Sequence, residues 1–258
     1  MHETKDVYFN NGDIKLSGKF YLNLDDNDKK SIVILSVGFG ATKEMLAKKA
    51  IDICEGGNHV FTYDYQGHGG SEGVAGHEMV SDIFAAIDYA RSYISTDLPI
   101  ILGGQCMGAL FSLQAAAQNK NVTAVFGMSI LLETAITVEK WEFIVEVLNS
   151  KREGHHCIFD QDSLLKDFRK NDIKDVLNEL EGLPVFLIHF ENDDIMPVDL
   201  ILKTFLQSPC EKNILILDKG RHVDSYICNH FNEMLVSWIN EKKERWFMTV
   251  EEHNKEAI

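Results

Sequence analysis

The chain lacks the features of a disulfide-rich, membrane-spanning or nucleic-acid-binding protein. Its five cysteines in 258 residues are odd in number, widely spaced and without a CxxC pair, which argues against a disulfide scaffold. No run of about 18 apolar residues is present, so no transmembrane helix is expected. Only 25 Lys and Arg residues stand against 40 Asp and Glu residues, and the net charge of −15 argues against binding to nucleic acid or anionic lipid.

The first residues, MHETKDVYFNNGD, lack the apolar core of a signal peptide. Together with the unpaired cysteines, this predicts a protein of the reducing cytoplasm. Prolines number only four, and no segment rich in Pro, Gly or Ser divides the chain. Hydrophobic residues make up 45% and charged residues 25%, as in ordinary globular proteins.

Strand and helix patterns alternate along most of the chain. Continuous apolar runs such as Ser31–Val37 are typical of strands buried on both faces of a parallel sheet. This alternation predicts an α/β fold with a doubly wound, mostly parallel sheet. The other predicted strands are Asp6–Phe9, Ile14–Leu22, His59–Asp64, Pro99–Gly103, Val122–Met128, Leu183–Phe190 and Asn213–Leu217. The predicted helices are Thr42–Glu55, Glu78–Ile94, Met107–Gln118, Val198–Leu206 and His230–Lys243.

Residues 131–182 interrupt the alternation. They contain helical patterns at Thr134–Asn149, Asp162–Lys170 and Asp172–Leu180, without a strong strand pattern. An insertion late in an open sheet lies over the carboxyl ends of the strands, where ligands bind. We therefore predict a core of residues 1–130 and 183–258, with residues 131–182 as a helical cap.

The segment Gly104–Gly108 (GQCMG) directly follows a predicted strand and opens a predicted helix. It has the G-x-S-x-G pattern of a nucleophile elbow, with Cys106 in the position of the serine. The flanking glycines suit a tight turn in which a Cβ atom would clash. The partial positive charge of the helix start favours a thiolate at Cys106. The alternative is that Cys106 is a buried structural thiol, the role we expect for the other four cysteines.

Four further segments extend the likeness to most of the chain, and the chain resembles the α/β-hydrolase fold family, nearest the monoglyceride-lipase, serine-aminopeptidase and small-esterase branch. Val33–Thr42 is similar to a strand with an HGFG-type oxyanion loop, and Tyr63–Gly73 to the D-x-R-G-H-G-x-S loop. Leu187–Pro197 is similar to the G-x-x-D-x-x-V-P acid loop, and Asp218–His222 to the histidine loop.

This resemblance implies a catalytic triad. Cys106, Asp193 and His222 follow the order nucleophile, acid and base of the fold. Asp194 is the rival for the acid, although the motif spacing selects Asp193. The oxyanion hole is expected from the backbone N–H groups of Phe39 and Met107.

The chain also departs from the family pattern. Its nucleophile is a cysteine, as in dienelactone hydrolases, where serine is usual in the wider family. Val37 stands in place of the oxyanion-loop His, Gln66 in place of Arg, and Phe190 in place of the acid-loop Gly. Because a thiolate does not readily expel an alkoxide or an amine, Cys106 suits thioesters and other activated esters.

These observations predict a cysteine-dependent acyl hydrolase or acyltransferase that acts on a thioester or activated ester. The expected substrate carries a small apolar acyl group, with CoA or a carrier protein as candidate carriers. The alternatives are a dienelactone-hydrolase-like lactonase and a noncatalytic ligand-binding protein that retains the fold. One set of cap residues forms an apolar stripe that serves either packing or the wall of an acyl pocket: Trp141, Phe143, Ile144, Val147 and Leu148.

No cofactor or metal is implied. The sequence VGFGATKE lacks the spacing of a phosphate-binding loop. His155 and His156 have no third ligand at a suitable spacing, so we expect them to be polar cap residues. His68 is expected to stabilise its loop, and His189 to pack in the core.

Overall fold

The protein is described by a computed structural model that covers residues 1–26, 29–132, 136–149 and 157–256. Its strands, numbered in chain order, are β1 His2–Asn11, β2 Ile14–Asn23, β3 Ile32–Ser36, β4 His59–Tyr63, β5 Ile100–Gln105, β6 Val122–Met128, β7 Pro184–Phe190 and β8 Glu211–Leu217. They form one sheet in the order β1-β2-β4-β3-β5-β6-β7-β8. The β1–β2 and β2–β4 pairs are antiparallel, and the other pairs are parallel.

Helices connect the parallel strands. The α-helices are α1 Ala47–Glu55, α2 Val80–Tyr93, α3 Met107–Gln118, α4 Val138–Asn149, α5 Gln161–Phe168, α6 Ile173–Glu179, α7 Val198–Leu206 and α8 Asn232–Glu256. Two short 3₁₀ helices, Lys43–Leu46 and His222–Tyr226, follow β3 and β8. In the described ranges, none of the helices combines the length and apolar character that a bilayer span requires.

The predicted doubly wound, mostly parallel sheet is confirmed. Every residue of β3 and β5 is buried, as the apolar runs in the sequence predicted. β3 and β5 lie in the middle of the sheet, so each is hydrogen-bonded to a neighbouring strand on both sides. Neither face of these two strands is exposed to solvent.

Three elements differ in extent from the prediction. β1 begins at His2, whereas the prediction began at Asp6, because its pairing with β2 runs from His2↔Asn23 to Asn11↔Ile14. Most β1 side chains are exposed at this sheet edge, so the sequence carries little apolar alternation there. The predicted helix from Thr42 begins instead as the 3₁₀ helix Lys43–Leu46. Helix α8 ends at Glu256, thirteen residues beyond the predicted end at Lys243.

Helices α4, α5 and α6 lie between β6 and β7 in the chain. Two isolated β-bridges, His68↔Cys157 and Ala75↔Phe159, join this region to the loop that follows β4. Helix α6 packs against α3, which flanks the sheet. The division of the chain into a core and a cap at residues 131–182 stays a prediction.

The direction of strand progression reverses at β3, which has β4 on one side and β5 on the other. In open α/β sheets such a switch point leaves a crevice at the carboxyl ends of the strands, where ligands bind. The loop after β3 and the sharp turn after β5 meet at this place, so the fold brings two of the sequence-predicted site segments together.

The turn after β5 depends on close backbone packing at Gly108. A Cβ atom there would collide with the carbonyl oxygens of Ser36 and Val37. We expect Gly108→Ala to lower the free energy of unfolding by about 3 kcal/mol, because the backbone atoms that the new Cβ would meet cannot move aside. Urea unfolding would measure this loss.

Gly182→Ala is the matched control. Gly182 has a φ of +75° but open space around its Cβ position, so only the backbone strain of about 1–2 kcal/mol applies. Equal losses in the two variants would contradict the role assigned to packing at Gly108.

Candidate active site

Cys106 lies at the junction of β5 and α3, in a strained backbone conformation with φ +55° and ψ −117°. Positive φ is costly for a residue with a Cβ atom and marks functional turns. A Cβ at Gly104 would collide with the backbone of Gly108, so both flanking glycines are needed. The thiol is partly exposed and stands at the first turn of α3, where the helix dipole favours negative charge.

His222 and Asp193 are hydrogen-bonded in the interior. Nδ1 of His222 lies 2.9 and 3.0 Å from the two carboxylate oxygens of Asp193. Asp193 follows β7 and His222 follows β8, so two adjacent strands deliver the pair to the same edge of the sheet. Asp193 also accepts the backbone N–H groups of Ile195 and Met196 at 2.9 and 2.7 Å, which fixes its orientation.

Asp193 and His222 each favour the charged form of the other. Burial lowers the pKa of His222, but attraction to the Cys106 sulfur and the hydrogen bond that Nδ1–H donates to Asp193 raise it to about 10. Burial raises the pKa of Asp193, yet the hydrogen bond and charge of His222 hold it below its usual value. The imidazole is therefore protonated at neutral pH when a negative charge stands beside it.

The two candidate acids occupy different places. Asp193 contacts the imidazole ring, whereas an oxygen of Asp194 accepts the backbone N–H of His222 at 3.2 Å. The structure thus brings Asp193, and not Asp194, to the position from which an acid orients the base.

Cys106 and His222 line one cavity at the carboxyl edge of the sheet. Nε2 of His222 is buried and has no hydrogen-bond partner among the described residues. It is therefore the ring nitrogen left to exchange a proton with a reacting group, while Nδ1 is occupied by Asp193.

The loop after β3 carries the expected oxyanion donor Phe39. The N–H of the preceding Gly38 is taken by the hydroxyl of Tyr226 at 2.7 Å, and Ala41 N–H bonds to Gly38 O at 3.1 Å. Met107, the other expected donor, is the first residue of α3. Their joint role as an oxyanion hole stays a prediction.

The cavity has a volume of about 300 Å³ and a mostly apolar wall. Phe39 and Trp141 stack in parallel there, with ring centroids 5.9 Å apart. From the apolar stripe of α4, Trp141, Phe143 and Ile144 line the cavity, which favours its interpretation as a pocket wall. The side chains of Val147 and Leu148 lie outside the described residues.

The other histidines have different surroundings. His68 is buried, with Nδ1 3.1 Å from Gln66 O and Nε2 3.5 Å from the Cys157 sulfur. His189 is buried too, but its Nε2 lies 2.8 Å from Met196 O and 3.4 Å from Asp193, so it also supports the acid loop. His155 and His156 lie outside the described residues. Among those described, no group of three or more His, Cys, Asp or Glu residues is placed to hold a metal ion.

Sequence reasoning missed two residues of this site. Tyr226 bonds to the oxyanion loop, and Nε2 of Gln105 donates to the carbonyl oxygen of His222 at 3.3 Å. Gln105 directly precedes Cys106, so its position in the elbow was the only feature of the sequence that placed it near the site. Nothing in the sequence relates Tyr226 to Gly38, which lies 188 residues away.

Comparisons with known proteins agree with the fold. Residues 27–152, a little less than half of the chain, match the Hydrolase_4 family, described as serine aminopeptidase, S33. The strand order, the elbow and this match together define an α/β-hydrolase fold.

Individual relatives are distant. The uncharacterized protein YfhR of Salmonella typhi is 23% identical over 190 residues, which are 70% of this chain and 61% of that protein, so the chain spans less than two thirds of its length. The α/β hydrolase GrgF of Penicillium sp. sh18 has a TM-score of 0.73 at 20% identity, covering 94% of this chain and 98% of GrgF. The Pyrococcus furiosus esterase Pf2001 has a TM-score of 0.71 at 20% identity, covering 95% and 91%.

The Asp193–His222 hydrogen bond has a measurable consequence. In Asp193→Asn the imidazole loses its anionic partner, so the pKa of His222, about 10 in the native protein, should fall. NMR titration of the His222 ring would record this fall. Turnover of an activated ester should drop by several orders of magnitude, up to about 10⁴-fold by analogy with other triads.

Asp194→Asn is the control, because Asp194 accepts the backbone N–H of His222 and makes no recorded contact with the ring among the residues the structure describes. It should leave the titration of the ring nearly unchanged. A larger loss of turnover in Asp194→Asn than in Asp193→Asn would reassign the acid.

Proposed function

We propose that the protein is a cysteine-dependent acyl hydrolase or acyltransferase that acts on a thioester or activated ester through an acyl-enzyme. The observation that carries the proposal is the arrangement of Cys106 at a strained turn, beside His222, which is hydrogen-bonded to buried Asp193. The match of residues 27–152 to a hydrolase family supports an acyl-transfer reaction.

In the first step the Cys106 thiolate attacks the acyl carbon. A carbon–sulfur bond forms, and the carbonyl π electrons move to the oxygen. The backbone N–H groups of Phe39 and Met107 would stabilise this oxyanion by donating hydrogen bonds to it. When this intermediate collapses, the bond to the leaving group breaks. The leaving thiolate or alkoxide takes its proton from Nε2 of His222, which becomes neutral.

In the second step neutral His222 accepts a proton from water or from an acceptor thiol, alcohol or amine. The acceptor attacks the acyl carbon, and the new intermediate expels the Cys106 thiolate. The thiolate–imidazolium pair is restored, which the raised pKa of His222 favours. Asp193 keeps its proton-free form throughout and holds the ring by Nδ1.

The nucleophile and the cavity favour the same substrates. A thiolate is expelled in preference to an alkoxide or amine, so activated acyl donors react more productively than amides or plain esters. The wall of Phe39, Trp141, Phe168 and their neighbours is apolar. An empty apolar cavity of about 150 Å³ accepts benzene, so a cavity of about 300 Å³ suits an uncharged acyl group of roughly ten non-hydrogen atoms.

Intact-mass spectrometry tests the acyl-enzyme. After incubation with a panel of acyl-CoA thioesters, lactones and p-nitrophenyl esters, we expect a mass increase equal to the acyl group. Cys106→Ala should show neither the adduct nor more than a few per cent of turnover, because the attacking sulfur is gone.

Cys210→Ala is the control, since Cys210 is buried away from the cavity. It should retain both adduct and turnover. An adduct that persists in Cys106→Ala would remove Cys106 from the nucleophile role, and ligand binding without any adduct would favour a noncatalytic binding protein. Preferred turnover of lactones would favour a lactonase.

A further inference from the structure

Three large apolar side chains at the opening of the active-site cavity are exposed to solvent. Phe143 of α4, and Val223 and Ile227 of the turn after β8, all line the cavity that also contains Cys106. Their exposed fractions are nevertheless 57%, 53% and 75%. A side chain that lines a cavity and is also more than half exposed lies at the mouth of that cavity. We refer to Phe143, Val223 and Ile227 as the apolar rim.

The inner wall of the cavity is as apolar as the rim but is buried. Leu131, Trp141 and Phe168 line the same cavity, and none of them is more than 3% exposed. Cys106 is partly exposed and belongs to the same wall. A substrate extends in two directions from the acyl carbon that Cys106 attacks. One part of it therefore faces the buried end of the cavity, and the other part faces the apolar rim.

The position of His222 indicates which part of the substrate faces the rim. In the proposed reaction His222 gives its proton to the leaving group, so the leaving group lies on the side of the imidazole. Val223 directly follows His222 in the 3₁₀ helix, and Ile227 is the residue that ends this helix. This places the leaving group against the apolar rim and the acyl group in the buried end.

The clustering of the rim residues favours an apolar ligand. Single exposed apolar side chains are common on protein surfaces, whereas clusters of them mark binding sites. The three rim residues come from two separate elements of the chain and line one cavity. Covering them with an apolar group removes apolar surface from water, which is favourable in proportion to the area covered.

The charge within the cavity is unfavourable for an anionic leaving group. In the described part of the chain, Asp224 is the only acidic or basic side chain of the cavity wall besides His222 and Cys106. Its carboxylate accepts the backbone N–H of Arg221 at 2.7 Å. Arg221 itself is exposed and is not among the residues that line the cavity.

Two further carboxylates flank the rim on helix α4. Glu139 lies four residues before Phe143 and Glu146 lies three residues after it, and both are exposed. Residues at these spacings are neighbours on the surface of a helix. The whole chain carries a net charge of −15, so a leaving group with several phosphates would meet repulsion both near the rim and at longer range.

We propose that the apolar rim is a binding subsite for an uncharged, apolar leaving group, and that the substrate is a thioester or activated ester of an apolar thiol or phenol. The inference rests on the proposed acyl transfer at Cys106. The bond between the acyl carbon and the leaving sulfur or oxygen breaks, and that atom takes the proton from Nε2 of His222. The thiol or phenol then departs as a neutral molecule across the rim.

The test compares three butyryl thioesters in the native protein: those of benzyl mercaptan, N-acetylcysteamine and CoA. These thiols have similar acidity, so differences in rate report on binding of the leaving group and not on its chemistry. We expect kcat/KM for the benzyl thioester to exceed that for the N-acetylcysteamine thioester by about tenfold, because its ring covers the rim. The CoA thioester should be the poorest of the three substrates.

A double variant, Val223→Ser with Ile227→Ser, tests the rim directly. It should lower the ratio of kcat/KM between the benzyl and N-acetylcysteamine thioesters by about tenfold. Both side chains are exposed in the native protein, so the substitutions remove little buried contact. Leu206→Ser is the matched control, since Leu206 is 62% exposed on α7 and does not line the cavity. It should leave the ratio unchanged.

Asp224→Asn tests the contribution of charge. The asparagine side-chain oxygen can still accept the N–H of Arg221, so the turn keeps this hydrogen bond. The ratio of kcat/KM between the CoA and N-acetylcysteamine thioesters should rise about threefold, and added salt should raise it in the native protein by screening the repulsion. An unchanged or lower ratio in both measurements would overturn the exclusion of CoA by charge.

Two results would overturn the subsite. One is a native protein that uses the CoA thioester as well as the benzyl thioester, and the other is an unchanged benzyl ratio in the double variant. Intact-mass spectrometry separates this failure from that of the proposed function. Acyl adducts formed on Cys106 from all three donors without preference would leave the acyl-enzyme standing, whereas the absence of adducts from every donor would overturn both.

Discussion

The buried hydrogen bond between Asp193 and His222 is the interaction on which the chemistry of this site depends. Its 2.9 Å length and the burial of both partners make it a charge-assisted bond that solvent screens weakly. Through it the imidazole is held by Nδ1, while Nε2 has no hydrogen-bond partner among the described residues. The raised pKa of His222 follows from the same contact together with the Cys106 sulfur.

The sheet makes this contact possible. Asp193 and His222 follow adjacent parallel strands, and Cys106 follows β5 near the reversal of strand order. Parallel strands end at one edge of a sheet, so residues distant in the chain meet there. The elbow adds a local constraint, since Gly104 and Gly108 admit no Cβ atom and the strained Cys106 backbone directs the thiol toward the cavity.

Hydrogen bonds also join three of the loops that form the site. Tyr226 joins the turn after β8 to Gly38 after β3, and Gln105 in the elbow donates to the carbonyl oxygen of His222. Lys49 fixes the same turn from the side of α1. Because the Tyr226–Gly38 and Gln105–His222 bonds are buried, loss of one partner would leave an unpaired polar group in the interior, which costs free energy of folding.

The sequence by itself determined the order of strands and helices and the elbow at Cys106, because apolar periodicity and glycine spacing are local properties of the chain. The candidates Asp193 and His222 came from the resemblance of their loops to those of the α/β-hydrolase family. Only the tertiary structure shows that Asp193, and not Asp194, contacts the imidazole ring of His222, since adjacent residues of one loop point in different directions. The lengths of β1 and α8, the size of the cavity and the Tyr226–Gly38 bond were likewise invisible. Each depends on contacts between distant segments, which no local pattern encodes.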